Sequence, residues 1–358
     1  MHSAQTHMDQ QAEKKYTIEI KKLPGSRIEI KASISAIDFD ATRGEAVRHL
    51  GSDVELPGFR KGHVPEKVLL SKIGEAALLE EMAEIAISKA YPTIIVEEKL
   101  DVIGRPQVGI TKIAHGNPLE CTIVTAVFPE YKLPDYKKLA AKNTKKKEEI
   151  VVTDEEIAKT LDQIRRMRAQ AMAEAEGKEF DEMAPTPELD DAYVETLGAG
   201  KTVEELKTKL RENMIVEKTR EAKDKKRIAI MEAIVAETKI ELPDVIIDQE
   251  LLRMEDEFAA DVGRMGLDLD GYLKSVQKTK EDLKKDWRPD AIKRATIQIL
   301  IGKISDEEKL VPDAELVARD VKALRERYPD AEENRIHGYV LMLLTNEKVL
   351  EFLEAQEG

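Results

Sequence analysis

Aromatic residues make up only 4% of this 358-residue chain, with one tryptophan and one cysteine. So few large rings argue against a deep aromatic substrate pocket, and a charged content of 36% points to long solvated helices instead. A single cysteine, Cys121, excludes an internal disulfide and fits a reducing compartment. It stands in the alternating run LECTIVTAV and is expected to be a buried strand thiol, not a nucleophile. No apolar run approaches the roughly 18 residues of a membrane span. The opening stretch, MHSAQTHMDQQAEKK, lacks the apolar core of a secretory signal and reads as a disordered tail over 1–15. A soluble, cytoplasmic protein with no membrane partner is expected.

Catalytic patterns are equally scarce. The sequence has no Walker loop, no GxGxxG after a strand, no HExxH and no CxxC. Its six histidines, His2, His7, His49, His63, His115 and His337, show no metal-ligand spacing within a foldable element. No metal, cofactor or catalytic residue is therefore expected. Charge is unevenly spread. Residues 1–140 hold 19 Lys and Arg against 20 Asp and Glu, whereas 141–358 hold 38 against 51. The acidic part would repel nucleic acid, so DNA is not an expected partner.

What is present reads as two kinds of architecture. Tyr16 to Leu23 and Arg27 to Ile34 alternate at period two around Pro24-Gly25-Ser26, a hairpin signature. Phe39 to Leu50 has helical spacing. Pro65 can open a helix running to Leu100, which Pro92 is expected to break or kink. Two strands, Gln107 to Ala114 and Leu119 to Phe128, flank the turn His115-Gly116-Asn117-Pro118. Residues 16–132 thus form a small α+β domain. From Leu133 the pattern turns helical. Lys142 to Lys147 reads as a solvated interdomain strip. Thr153 to Glu156 and Thr202 to Glu205 are capping boxes, the first opening a helix to about Gln170 and the second a long helix ending near Pro243. Residues 171–187 read as a connector, and 188–358 as a set of unequal helices, over 244–265, 269–276, 280–310, 313–328 and 331–353.

Binding features are richer than catalytic ones. In LPGFRKGHVP, Gly58 and Gly62 bracket Phe59, Arg60 and Lys61, a ring and two cations on a segment that cannot be regular structure. Eight of the eleven methionines lie beyond residue 141, and flexible thioethers suit surfaces that adapt to varied apolar partners. Gly263 and Gly266 around Met265, with Met254 and Phe258 upstream, suggest a helix end exposing apolar side chains. The run Tyr339 to Leu344, including Met342 and Leu343, is apolar for too long to face one way only.

The segment GFRKGHVP resembles the ribosome-docking signature of bacterial trigger factors. RIEIKASI, the helical stretch GEAALLEEMAEIAISKAYPTIIVEEKL and the run through AVFPEYKLPDY resemble that family's ribosome-binding domain, and PELDDAYVETLGAGKTVEELKTKLRENM resembles the start of its helical substrate-binding domain. The resemblance implies a multidomain protein: an N-terminal α+β ribosome-binding domain, a linker and arm helix over 133–170, and an all-α substrate-binding domain with arm-like extensions. It implies that Gly58, Phe59, Arg60, Lys61 and Gly62 dock on protein and rRNA of the large ribosomal subunit near the exit tunnel. It further implies that nascent and unfolded polypeptides are held without ATP, and that a homodimer forms off the ribosome. Met254, Phe258, Met265, Tyr339, Met342 and Leu343 are the candidate substrate contacts. One departure stands out. Most family members carry a prolyl isomerase domain of the FK506-binding type where this chain has only 171–187, fewer than the roughly 50 residues a domain needs. Isomerase activity is expected to be missing. A residual isomerase, or a holdase or assembly factor working without the ribosome, are the competing expectations.

Overall fold

The computed structural model describes residues 15–53, 65–144, 150–175, 177, 186, 188–198 and 200–356. The chain groups into two compact units, Met1–Lys132 with Lys239–Gln298, and Leu133–Thr238 with Ile299–Gly358. The grouping cuts across the single helical region drawn over 188–358 from sequence, because residues 239–298 pack with the first unit.

In the first unit, β1 (Tyr16–Leu23), β2 (Arg27–Ile34), β3 (Val102–Lys112) and β4 (Leu119–Val127) form one antiparallel sheet of order β1-β2-β4-β3. Period-two alternation sends Ile28, Ile30, Ala32 and Ile34 of β2 to one face. Their register partners on β4, Thr125, Ile123, Cys121 and Leu119, are buried on that same face. Helices α1 (Ala36–Asp40), α2 (Arg43–Asp53), α3 (Glu66–Ile73) and α4 (Glu75–Glu97) follow. Leu78, Met82, Ala83, Ala86, Ile87 and Ile94 of α4 join the core that forms on this face of the sheet. Each fully buried aliphatic side chain contributes about 1.5–3 kcal/mol, against roughly 0–1 kcal/mol for an exposed ion pair. The sheet–helix layer therefore dominates the stability of this unit.

Three local expectations change. The helix expected over 39–50 is two helices, α1 capped by the Ser35 hydroxyl, which accepts from the Asp38 amide. The helix expected from Pro65 to Leu100 breaks at Gly74, whose φ of 85° only glycine adopts freely, and not at Pro92. Pro92 lies inside α4, held on both sides by Ile87 and Ile94 in the core. β3 begins at Val102, five residues before the sequence signal, because a register shift between Ile103 and Gln107 absorbs Gly104 and Pro106. Gly104 has φ 75°, and a Cβ there would stand 3.1 Å from Val245 Cγ2. Such close approach leaves no room for a side chain.

Residues 239–298 contain α9 (Asp244–Arg264), α10 (Leu269–Ser275) and the first part of α11 (Lys280–Glu308). The segment before α9 is tied to the β1–β2 turn, where the Gly25 amide donates to Glu241 Oε2 at 3.1 Å and the Ser26 hydroxyl to the Glu241 carbonyl at 2.6 Å.

The second unit contains α5 (Tyr136–Thr144), α6 (Asp154–Ala175), α7 (Asp191–Leu197), α8 (Val203–Glu237), the rest of α11, α12 (Ala314–Arg327) and α13 (Glu333–Glu354). The first capping box forms reciprocally, with the Glu156 amide on Thr153 Oγ1 at 3.3 Å and the Thr153 amide on Glu156 Oε2 at 2.9 Å. The second is skewed: Thr202 caps the Glu205 amide, but Glu205 reaches back to Lys201. Ile157, Leu161, Val194 and Leu206 form a core joining α6, α7 and α8. α5 and α7 were not foreseen, being short and flanked by polar sequence.

The Tyr16 hydroxyl donates to Glu97 Oε2 at 2.6 Å. Burial, that hydrogen bond and the charges of Glu97 and Glu98 push the phenol from 10.0 up to about 12. A pKa raised in the folded state gives stabilisation that is complete below the unfolded value and is lost as pH climbs from 10 to about 12. The stability advantage of the native protein over Tyr16→Phe should therefore shrink across that window, as read from thermal midpoints at a series of pH values. An advantage constant across it would contradict the assignment.

Candidate functional site

The docking residues inferred from sequence, Gly58 to Gly62, lie outside the described residues. The stems that carry them do not. α2 ends at Asp53 and α3 begins at Glu66, with Pro65 at its N-cap in an extended conformation. Arg43 of α2 binds Glu66 of α3, its Nε and Nη2 each 2.9 Å from Glu66 Oε1. Leu69 of α3 is fully buried, with a methyl 3.9 Å from where a Cβ on Gly51 would sit. An ion pair and a buried leucine thus tie α2 to α3.

The other candidates fall on two helices. Met254, Phe258 and Met265 belong to α9 in the first unit. Met254 is half-buried. The Phe258 ring is half-buried and packs edge-on against Tyr272 at 5.6 Å and Trp287 at 5.4 Å. It tethers α10 and α11 to α9. Ion pairs reinforce that tether: Arg294 of α11 binds Glu250 Oε1 at 2.9 Å and Glu257 Oε1 at 3.0 Å, both on α9. Met265 closes α9, where the Leu267 amide reaches the Val262 carbonyl and Gly266 turns the chain at φ 78°. This left-handed cap throws Met265 and Leu267 outward, 71% and 49% exposed.

Tyr339, Met342 and Leu343 belong to α13 in the second unit. Ile336 and Val340 are buried with Val317 of α12, and Leu344 packs against them. A helix turns 100° per residue, so an unbroken apolar run must spill beyond that stripe. Tyr339, Leu341 and Leu343 are exposed and Met342 is half-buried. Sequence reasoning passed over Leu267, Tyr328 and Leu316, all exposed, while Met167 and Met172 of α6 and Leu341 within the 339–344 run, also exposed, were noted there without being named as contacts. The missed signal was their offset from the buried helical stripe. Met214 and Met231, by contrast, serve the interior, Met231 being buried and Met214 packed on the α6–α8 core.

α13 is fixed on α8 by one guanidinium. Arg227 Nη1 and Nη2 bind the Glu347 carboxylate at 2.8 and 2.6 Å, and Nε binds Glu354 Oε1 at 3.0 Å. The bond from Arg227 holds Glu347 below the usual carboxylate range. Among the described residues no group of His, Cys, Asp and Glu is arranged to hold a metal, and no helix is long and apolar enough to cross a membrane. Cys121 is buried, which pushes its thiol pKa up and disfavours the reactive thiolate.

The two faces of α13 differ in what they can lose. Val340→Ala, in the α12–α13 core, should cost about 1–2 kcal/mol, whereas Leu343→Ala should stay within about 0.5 kcal/mol of the native protein. Urea unfolding followed by circular dichroism measures both, and equal costs would contradict the facing.

Comparison with known proteins adds an independent line. The family model described as bacterial trigger factor protein matches residues 16–164, and that for the trigger factor C-terminus matches residues 202–354. The trigger factor of Halalkalibacterium halodurans is 23% identical, over 87% of this chain and 90% of the relative. That of Streptococcus mutans is 25% identical, over 81% of this chain and 87% of the relative. A solved structure described as "Promiscuous Substrate Recognition in Folding and Assembly Activities of the Trigger Factor Chaperone" superposes with a TM-score of 0.52 at 16% identity. It covers 94% of this chain and 99% of its own, which establishes a shared fold.

Proposed function

Because the chain belongs to the bacterial trigger factor family, we propose that it is an ATP-independent chaperone, docking beside the ribosomal exit tunnel and holding nascent or unfolded chains on the exposed apolar surfaces of its helical hairpins. The observation that carries this reading is the pair Tyr339 and Leu343, one turn apart and both exposed on α13 beside its packed Ile336–Val340 stripe, with Leu341 exposed on the far side of that stripe. Scattered exposed apolar residues are ordinary, but several on one helix mark a place for a partner. Met265 and Leu267 offer a second such place at the end of α9. Each patch is small, so binding would be weak and reversible, as suits a holder that must release its client.

Docking is assigned to Phe59, Arg60 and Lys61. The tie between α2 and α3 through Arg43–Glu66 and Leu69 supports that assignment, since flanking elements already held together cost less entropy to order on binding. Arg60 and Lys61 suit phosphate and acidic side chains, and Phe59 an apolar spot beside them. The acidic helical region would favour basic clients and keep a loaded complex soluble. A cytoplasmic location and a homodimer off the ribosome belong to the same reading. Isomerase activity does not. The two matched segments leave only 165–201 between them, too short for the roughly 50 residues of a domain.

Two measurements test the proposal. Leu341→Ser/Leu343→Ser should weaken protection of a chemically denatured client from aggregation, followed by light scattering, while leaving the thermal midpoint within about 2 °C. Full protection by this variant would remove α13 from the client surface. Phe59→Ala/Arg60→Ala/Lys61→Ala should abolish co-sedimentation with ribosomes and leave that protection intact. Undiminished sedimentation would move the ribosomal contact elsewhere.

A further inference from the structure

The ten residues Lys218 to Arg227 of α8, KTREAKDKKR, carry six cations and two carboxylates inside a chain of net charge −14. They border a groove of about 740 Å³ between the end of α5, the start of the segment leading to α6, and α8. Thr219, Ala222, Lys226 and Ala229 lie along its α8 side at helical spacing, with Asn143, Thr144 and Ile150 facing them and Glu354 of α13 at one end. Small side chains on the α8 wall let a guest approach the helix backbone closely.

Glu354, which lines the groove, and Glu347 beside it on α13 are already paired. Glu347 and Glu354 share Arg227, and Lys223 lies 3.6 and 3.9 Å from them. Two negative charges are thus matched by two positive ones. Lys225 and Lys226, both lining the groove, stand outside that balanced set, and Lys142 lies exposed at the end of α5 beside Asn143. The result is a local positive field on an acidic protein.

We propose that this groove binds an acidic stretch of polypeptide, with Lys225 and Lys226 pairing to its carboxylates and the small side chains of α8 accommodating its backbone. Two features favour a peptide over nucleic acid. Among the described residues no aromatic side chain lines the groove, so bases would find nothing to stack on. A nucleic acid also carries a dense row of charges that the surrounding acidic surface would repel, whereas a peptide presents a few carboxylates where the lysines are. The site shares no residue with the apolar client patches. It would give the protein a second mode of contact, selective for segments those patches and the acidic surface disfavour.

The test uses the full-length protein and a fluorescein-labelled glutamate-rich peptide of about 15 residues, followed by anisotropy. Binding should weaken at least about tenfold in Lys225→Glu/Lys226→Glu, and should fall with added salt in the native protein. Lys225→Gln/Lys226→Gln should give an intermediate loss, and circular dichroism should show both variants folded, as expected for side chains on the surface of a long helix. Aggregation protection of an apolar client should be unchanged in both, separating this site from the client patches. No peptide binding by the native protein, or equal binding by the charge-reversed variant, would overturn the proposal. So would labelled oligouridylate binding more tightly than the peptide and losing that binding in the same variant.

Discussion

Arg227 is the residue on which the arrangement of the second unit turns. Its side chain is only 13% exposed and its guanidinium is shared between two carboxylates about two turns apart on one face of α13. Charge-assisted bidentate contacts of this kind are directional as well as strong. They fix the rotation of α13 about its own axis, and with it which residues of the 339–344 run meet α12 and which meet water. α5, α8 and α13 pack together here, burying Ala140, Ala141, Ile230, Ile234, Val349 and Leu353. That apolar contact would tolerate a modest rotation of the helix; the ion triad would not. The same pairing satisfies Glu354, which lines the groove on α8, and Glu347 beside it.

The first unit solves a different problem with different means. Its sheet and α4 bury a continuous apolar layer that needs no ionic help. Beside it, α2 and α3 are held together by Arg43, Glu66 and Leu69. The attachment of 239–245 to the same unit depends on backbone shape more than on area. Gly104 in a left-handed conformation admits Val245, and Gly25 and Ser26 at a tight turn receive Glu241. Around α9 the balance tips toward polar contacts. An aromatic trio and the Arg294 pairs hold α9 to α11 while Met265 and Leu267 are spared for the surface.

A composition with few aromatics and abundant charge has a functional sense in such a design. Helices that are mostly solvated need little core, so apolar side chains remain available outside it. Ion pairs on their polar faces contribute little individually, about 0–1 kcal/mol each. They nonetheless keep helices soluble that would otherwise associate through their exposed leucines and methionines.

Much of this was legible in the sequence. The β1–β2 hairpin, the burial of Cys121, both threonine capping boxes and the long helices from Val203 onward follow from local periodicity and capping chemistry, which act over a few residues. So did the suspicion that 339–344 could not all be core. The order of motifs identified the family. Tertiary contacts decided the rest. Periodicity could not tell whether Gly74 or Pro92 would end a helix, because the outcome depends on Ile87 and Ile94 finding the sheet. The reach of β3 to Val102 needed Val245 against Gly104. The assignment of outward residues on α13 needed Arg227, more than a hundred residues away. Local pattern determines which elements form; their facing is set by partners distant in sequence, and the exposed surfaces that would bind clients are a property of that facing.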